Sequence, residues 1–293
     1  MRLTVFVLSR VAAGLFLGVC MVSASLAQSP ADMLSTTVAQ VEERLGGRVG
    51  LSLIETGSER SWTYRQDERF LMNSTVKVPI CAAVLAHRDA GELSLTDTLR
   101  VTQDNVLSYA PVTEKEVGTD MSLADLCLAA LDLSDNTASN MLVDHLGGPQ
   151  TVTEFLRSKG DEVSRLDRRE PELNDFLPGD PRDTTTPSAM TETLRRLLLG
   201  DALSPRSRKQ LVEWMSIGGV TGNLLRADAP GGWIILDKSG SGSHTRNIIA
   251  VVIPEGGAPW VVTIFISDVD ADFDTRNAAL QEIGSAVMSV IRN

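Results

Sequence analysis

Ser74 and Lys77 stand three residues apart in Asn73-Ser74-Thr75-Val76-Lys77. Three more polar groups follow in order: Ser134-Asp135-Asn136, Glu170-Pro171-Glu172-Leu173-Asn174 and Lys238-Ser239-Gly240. Positions i and i+3 share a face of a helix, so Ser74 and Lys77 can meet in a first turn. A serine there carries one of the unpaired backbone N–H groups of a helix N-terminus, a donor able to help hold an oxyanion. Lys77 can lower the cost of deprotonating Ser74, as a base or as a local positive charge. Asn73 is expected to cap this helix, and Pro79, a few residues in, to interrupt its hydrogen bonding.

The other groups complete a reaction. Ser134 and Asn136 can face one pocket only from a loop, since i and i+2 diverge on a helix. Aspartate and asparagine suit such a turn, with a helix starting at Thr137. From there Ser134 can relay a proton to a leaving nitrogen and Asn136 can hold an amide carbonyl. Glu170 and Asn174 are i and i+4, so one helical turn would point both the same way. A carboxylate and an amide so placed can grip a water and deprotonate it. Lys238-Ser239-Gly240-Ser241-Gly242 follows the apolar run Trp233 to Leu236 and reads as strand. Its glycines let a ligand approach the backbone, so an extended substrate can pair with the strand. Lys238 and Arg246 would attract a carboxylate, Arg246 bidentately. Each group alone is commonplace; the four in order are not.

The elements that must position these residues fall into three blocks. Ser35 to Leu45 reads as a helix, Arg48 to Ile54 as a strand, and Ser61 to Tyr64 as its return after a turn. Asn73 to Ile217 is mostly helical, with leucine and alanine at spacings of three and four over Leu123–Leu131, Asn140–Leu146 and Met190–Leu199. Thr186 before Pro187 has the form of an N-cap followed by proline at the first helical position. Strands return over Trp233–Asp237, Ile248–Ile253 and Trp260–Ser267, and a helix over Asn277–Ile291 closes the chain. The expected fold class is α/β, an α+β sandwich. An antiparallel sheet built from both chain ends is flanked by helices and interrupted by an all-helical insertion. The α/β part takes residues 28–66 and 218–293, the helical part 67–217.

Composition bounds the setting. With 293 residues, 43% hydrophobic and 22% charged, the chain is ordinary globular protein. A net charge of −11 argues against nucleic acid or an anionic membrane as partner. Arg2 and Arg10 precede an uncharged run from Val11 to Val22, too short to span a bilayer. Ser25-Leu26-Ala27 follows as a small-residue cleavage pattern, so residues 1–27 read as an export signal and 28–293 as the mature chain. A retained anchor or a lipoprotein on Cys20 is the other possibility. Cys81 and Cys127 remain, an even pair in an exported chain, and read as a disulfide, with two buried thiols as the alternative. There is no C-x-x-C or H-E-x-x-H, and three histidines in all, so neither metal nor cofactor is expected.

Taken together, S-x-x-K, S-D-N and a third motif in which Lys238-Ser239-Gly240 keeps the hydroxyl of K-T-G make the chain resemble a class A serine β-lactamase over essentially its whole mature length. The resemblance implies attack of Ser74 on a lactam carbonyl, with the backbone N–H groups of Ser74 and Ser241 as oxyanion hole. It implies Lys77, or Glu170 through a water, as acylation base, and Ser134 as proton donor to the lactam nitrogen. Glu170 and Asn174 would hold the deacylating water. Lys238, Ser239 and Arg246 would bind the substrate carboxylate, and Asn136 the side-chain amide. Tyr109 would form an aromatic wall, Arg168 and Asp183 a salt bridge closing the loop around Glu170, and Cys81 and Cys127 a bridged pair. The bond before Pro171 would be cis.

Asparagine at 73 and glycine at 242 exclude the cysteine pair of several carbapenem-hydrolysing members. The expected order is penicillins, then early cephalosporins, with inhibition by clavulanate-type compounds. The expected enzyme is a periplasmic monomer, or secreted from a single-membrane bacterium, that confers antibiotic resistance. Its rivals are a penicillin-binding protein that acylates and stalls, a non-hydrolytic β-lactam sensor, and a serine amidase.

Overall fold

Two nearly continuous apolar strands near the C-terminus set the architecture. A strand buried on both faces shows no polar alternation in its sequence, and all eight residues of Trp260–Ser267 are buried. The computed structural model describes residues 1, 3–4, 29–58 and 60–293. In chain order these form α1 (Pro30–Leu45), β1 (Arg48–Glu55), β2 (Ser61–Tyr64), β3 (Phe70–Leu71), α2 (Lys77–Asp89), β4 (Thr98–Arg100), β5 (Asp120–Ser122), α3 (Leu123–Asp132), α4 (Asn136–His145), α5 (Pro149–Ser158), β6 (Thr184–Thr185), α6 (Pro187–Leu194), α7 (Pro205–Met215), β7 (Ile234–Ser241), β8 (Arg246–Ile253), β9 (Trp260–Ser267) and α8 (Phe273–Arg292). The expected export signal falls almost wholly outside the described residues. Among those described, no helix is long and apolar enough to cross a membrane.

The main sheet is antiparallel in the order β2-β1-β9-β8-β7, so strands from both chain ends meet in it. Period two divides its side chains between two cores. Trp260, Val262, Ile264 and Ile266 face the layer of α1 and α8, with Leu34, Val38, Ile283 and Val287. Val261 and Phe265 face the helical middle, with Val78, Leu126, Leu142 and Leu211. The α/β class and the antiparallel sheet between helices are as the sequence predicts.

Several boundaries differ for local reasons. The first helix starts at Pro30, because Ser29 accepts from the Asp32 N–H at 3.2 Å and proline fills the first helical position. The last starts at Phe273, capped by Asp272. Thr186 caps α6 as expected, accepting from the Ala189 N–H at 3.2 Å. Asn73 caps nothing. It opens a 3₁₀ turn over Asn73–Val76 with φ +49°, a left-handed conformation asparagine tolerates, and α2 begins only at Lys77. Pro79 therefore lies in the first turn of α2, where its missing N–H interrupts nothing. Cys81 and Cys127 are both buried and unbridged. The Cys81 thiol lies 3.7 Å from the Cys127 carbonyl oxygen, and burial with Cys81 as neighbour pushes the Cys127 thiol well up. The structure thus holds the reduced pair in place of the expected bridge.

Candidate active site

The site forms where the 3₁₀ turn before α2, the turn before α4, the loop around Glu170 and β7 converge. Ser74 is half-buried in a run of buried residues, and Lys77 enters the helix directly behind it. The Lys77 Nζ lies 3.0 Å from Ser74 Oγ, 2.8 Å from the Ser134 carbonyl oxygen and 2.6 Å from Asn136 Oδ1. Glu170 Oε1 approaches the same nitrogen to 3.2 Å, with both side chains fully buried. That contact lacks hydrogen-bond geometry, so Glu170 Oε1 is otherwise unpartnered and keeps a lone pair for a donor from the site. Burial outweighs the neighbouring carboxylate and moves the Lys77 amine below the ordinary lysine range.

Ser134 reaches the site through strained backbone, with φ +60°. Asp135 holds that turn: it caps α4 through the Ala138 N–H at 2.8 Å and accepts from the Val112 and Thr113 N–H groups at 3.0 and 2.9 Å. The helix begins at Asn136, one residue before the sequence reading. Replacing Asp135 by alanine would orphan three backbone N–H donors and the Thr113 hydroxyl, and we expect a loss of about 3 kcal/mol, read as a lower urea midpoint at unchanged slope. Ser134 Oγ accepts from Lys238 Nζ at 2.9 Å, with Lys77 Nζ at 3.3 Å. Burial, then the like charges of Lys77 and Arg246, hold the Lys238 amine well below the usual value.

Glu170 and Asn174 do meet, but not by an α-turn. The Glu170–Pro171 bond is cis, and Glu172–Asn174 is a 3₁₀ turn. This folds the chain so that Asn174 Nδ2 donates to Glu170 Oε2 at 2.5 Å. The loop closes through Arg168 and Asp183 at 2.6 Å, with the second carboxylate oxygen accepting from the Asp167 and Arg168 N–H groups at 2.7 and 2.9 Å. Sequence reasoning missed Asn140, whose amide grips both backbone groups of Glu170, at 2.9 Å to its N–H and 2.7 Å to its carbonyl. Its signal was available, because it lies four residues after Asn136 and so on the same face of α4.

On the far wall, β7 presses against the turn that carries Ser74. A Cβ at Gly240 would stand 2.9 Å from the Met72 carbonyl oxygen and 3.1 Å from the Ser74 nitrogen, so only glycine fits this approach. Arg246 on β8 pairs in register with Ser241 and donates to the Gly240 carbonyl at 3.0 Å and Asn277 Oδ1 at 3.1 Å. It has no carboxylate partner among the described residues. Burial, with Arg276 nearby, lowers its pKa to about 10. Tyr109 stands 49% exposed at the rim. The cleft of about 420 Å³ is lined by Ser74, Tyr109, Ser134, Asn136, Asn174, Ser239, Gly240, Ser241 and Arg246, with Val220 and Phe273, which sequence reasoning did not single out. Lys77, Glu170 and Lys238 stand behind it. Cys81 and Cys127 belong to the helical core, not to the site.

Fold and site together bring Ser74, two buried lysines and a buried carboxylate to one cleft. The model of the β-lactamase enzyme family matches residues 33–291. The chain is 64% identical over 292 residues to a β-lactamase of Rhodobacter capsulatus, covering all of both chains. It is 41% identical over 290 residues to β-lactamase AER-1 of Aeromonas hydrophila, covering 97% of this chain and 95% of that one. Among solved structures it resembles an ancestral class A β-lactamase at 51% identity and a TM-score of 0.84, over 88% of this chain and 99% of that one. The chain belongs to the β-lactamase family, in its class A, whose members hydrolyse β-lactam amide bonds.

Proposed function

We propose that this chain opens β-lactams through an acyl-serine intermediate, with penicillins turned over faster than early cephalosporins. The observation that carries the reading is the 3.0 Å contact between Lys77 Nζ and Ser74 Oγ. A neutral lysine has two N–H donors and one lone pair. The two shortest Lys77 contacts, to Asn136 Oδ1 and the Ser134 carbonyl, can take both donors. The lone pair is then left facing the Ser74 hydroxyl, and the lowered amine pKa favours that state.

In this reading Lys77 takes the Ser74 proton as Oγ bonds to the lactam carbonyl carbon. The oxyanion rests on the backbone N–H groups of Ser74 and Ser241, brought close by Gly240. The ring C–N bond breaks as a proton passes from Lys77 through Ser134 Oγ to the nitrogen. Glu170, steadied by Asn174, then takes a proton from water; the water oxygen bonds to the ester carbon, and Ser74 leaves with a proton returned to its Oγ. Lys238 and Ser239 border the substrate carboxylate, and Arg246 supplies a buried cation without a counterion among the described residues. Asn136 holds the side-chain amide and Tyr109 shields the mouth.

Turnover of benzylpenicillin, with intact mass after a short pulse, tests this. Sustained hydrolysis is expected, with loss of at least about 10⁴-fold and no mass gain in Ser74→Ala. A long-lived adduct without turnover in the unmodified chain would mean a sensor or a stalled penicillin-binding protein. Equal or better turnover of a carbapenem would overturn the proposed ranking.

A further inference from the structure

Asn73 adjoins the nucleophile in the chain, and its side chain is fully buried between the loop around Glu170 and β8. Its Nδ2 donates to Asn174 Oδ1 at 2.9 Å. Its Oδ1 accepts from Asn247 Nδ2 at 2.9 Å and from Thr245 Oγ1 at 2.7 Å. We propose that Asn247, Asn73 and Asn174 form a directional amide relay in which Asn73 is a positioning residue for the deacylation base Glu170.

The direction is fixed at both ends by groups that can only accept. Asn247 Nδ2 donates to the Leu71 carbonyl oxygen at 2.8 Å and lies 3.3 Å from that of Met72, so its amide cannot be reversed without placing oxygen against oxygen. Its remaining hydrogen must then meet an acceptor, which sets Asn73 Oδ1 toward β8 and Asn73 Nδ2 toward the loop. Asn174 must answer with its oxygen, and its own Nδ2 is thereby aimed at Glu170 Oε2 at 2.5 Å and the Pro171 carbonyl at 3.2 Å. Without Asn73, the Asn174 oxygen loses the donor that anchors it to the β8 side, and the side chain is held only through its Nδ2, by the Glu170 carboxylate and the Pro171 carbonyl. Asn247 Oδ1 is buried without a hydrogen-bond partner, so the direction of the relay rests on the Asn247 Nδ2 contacts alone.

Two further facts fit. Asn73 sits at φ +49°, where asparagine is among the few non-glycine residues at ease. A Cβ at Gly242 would come within 2.8 Å of Asn73 Nδ2 and 2.9 Å of Thr245 Oγ1, so glycine at 242 leaves the relay its room. The relay thus ties the loop that carries the water-activating pair to the strand that carries Arg246, with no covalent link between them.

The inference rests on the proposed role of Glu170 in deacylation, and the test separates the two. Asn73→Gly keeps the backbone conformation and deletes the relay. With benzylpenicillin, kcat is expected to fall about tenfold or more with KM falling alongside. The ratio kcat/KM, which reports acylation, should stay within about threefold, and a penicilloyl adduct should appear in the intact mass. A merely structural role would not split kcat from kcat/KM. If Asn73→Gly does not fold, Asn73→Ser, too short to span both partners, carries the same measurement. An unchanged kcat, or equal losses in kcat and kcat/KM, overturns the relay while Glu170→Gln still arrests at the adduct. Free turnover by Glu170→Gln overturns the underlying reading and the relay with it.

Discussion

Glu170→Gln is expected to take up one molecule of benzylpenicillin on Ser74 and hold it. The substitution is nearly isosteric, and the backbone of residue 170 stays gripped by Asn140. What is lost is the carboxylate proposed as the deacylation base. A positioned general base contributes about 10²–10⁴-fold, so kcat should fall by about 10³, which corresponds to about 4 kcal/mol of barrier. Acylation should survive. Glu170 is the counter-charge that raises the Lys77 pKa against burial, so its removal lowers that pKa further and keeps Lys77 neutral to lower pH. Intact mass after a pulse of seconds should show the full penicilloyl adduct, and acylation should persist further into the acid range than in the unmodified chain. Rapid turnover would remove Glu170 from deacylation. A variant that neither turns over nor gains mass would make Glu170 the acylation base as well.

How much of this was legible in the sequence can be judged residue by residue. Residue types in a fixed order sufficed to single out Ser74, Lys77, Ser134, Glu170 and Lys238, which the fold brings to one place. The strands were legible because β8 and β9 are buried on both faces and read as mostly apolar runs. Asn73 was misread, since asparagine favours both an N-cap and a left-handed residue, and type alone does not choose. Glu170 and Asn174 were expected to meet for the wrong reason. The rule of four residues presumes an α-turn, but the proline after Glu170 disfavours the α conformation at that residue. The meeting comes from a cis bond and a 3₁₀ turn. The relay through Asn247 was invisible because its partner Asn73 lies 174 residues away along the chain, a distance over which no periodicity speaks.

The same holds for the bond network beneath β7, where the largest loss of stability is expected. Asp237 precedes Lys238, and its side chain is fully buried, while that of Arg226 is 18% exposed. Arg226 donates to Asp237 Oδ1 at 2.8 and 3.0 Å and to the carbonyl oxygens of Met215, Ser216 and Ile235 at 2.9, 3.0 and 2.9 Å. Arg226→Ala therefore leaves the buried carboxylate without its counter-charge, held by the Thr221 hydroxyl at 2.8 Å, and strands three backbone acceptors. Breaking a buried pair from one side costs about 3–5 kcal/mol, a fall in Tm on the order of 10 °C for a chain of this size. The pH dependence identifies the cause. Burial already raises the Asp237 carboxyl above its ordinary 3.8, with Arg226 pulling the other way. Without Arg226 it rises further, so the native state binds a proton that the unfolded chain releases above 3.8. Stability then falls as pH rises from 3.8 through the new pKa, and acidification restores it. Relative to the unmodified chain, Arg226→Ala should lose most at about pH 8 and markedly less at about pH 5. Adding Asp237→Asn, which removes the charge, should recover part of the loss at the higher pH and flatten the dependence. An equal Tm deficit at both pH values would mean that the stranded carbonyls, not the carboxylate, dominate the cost.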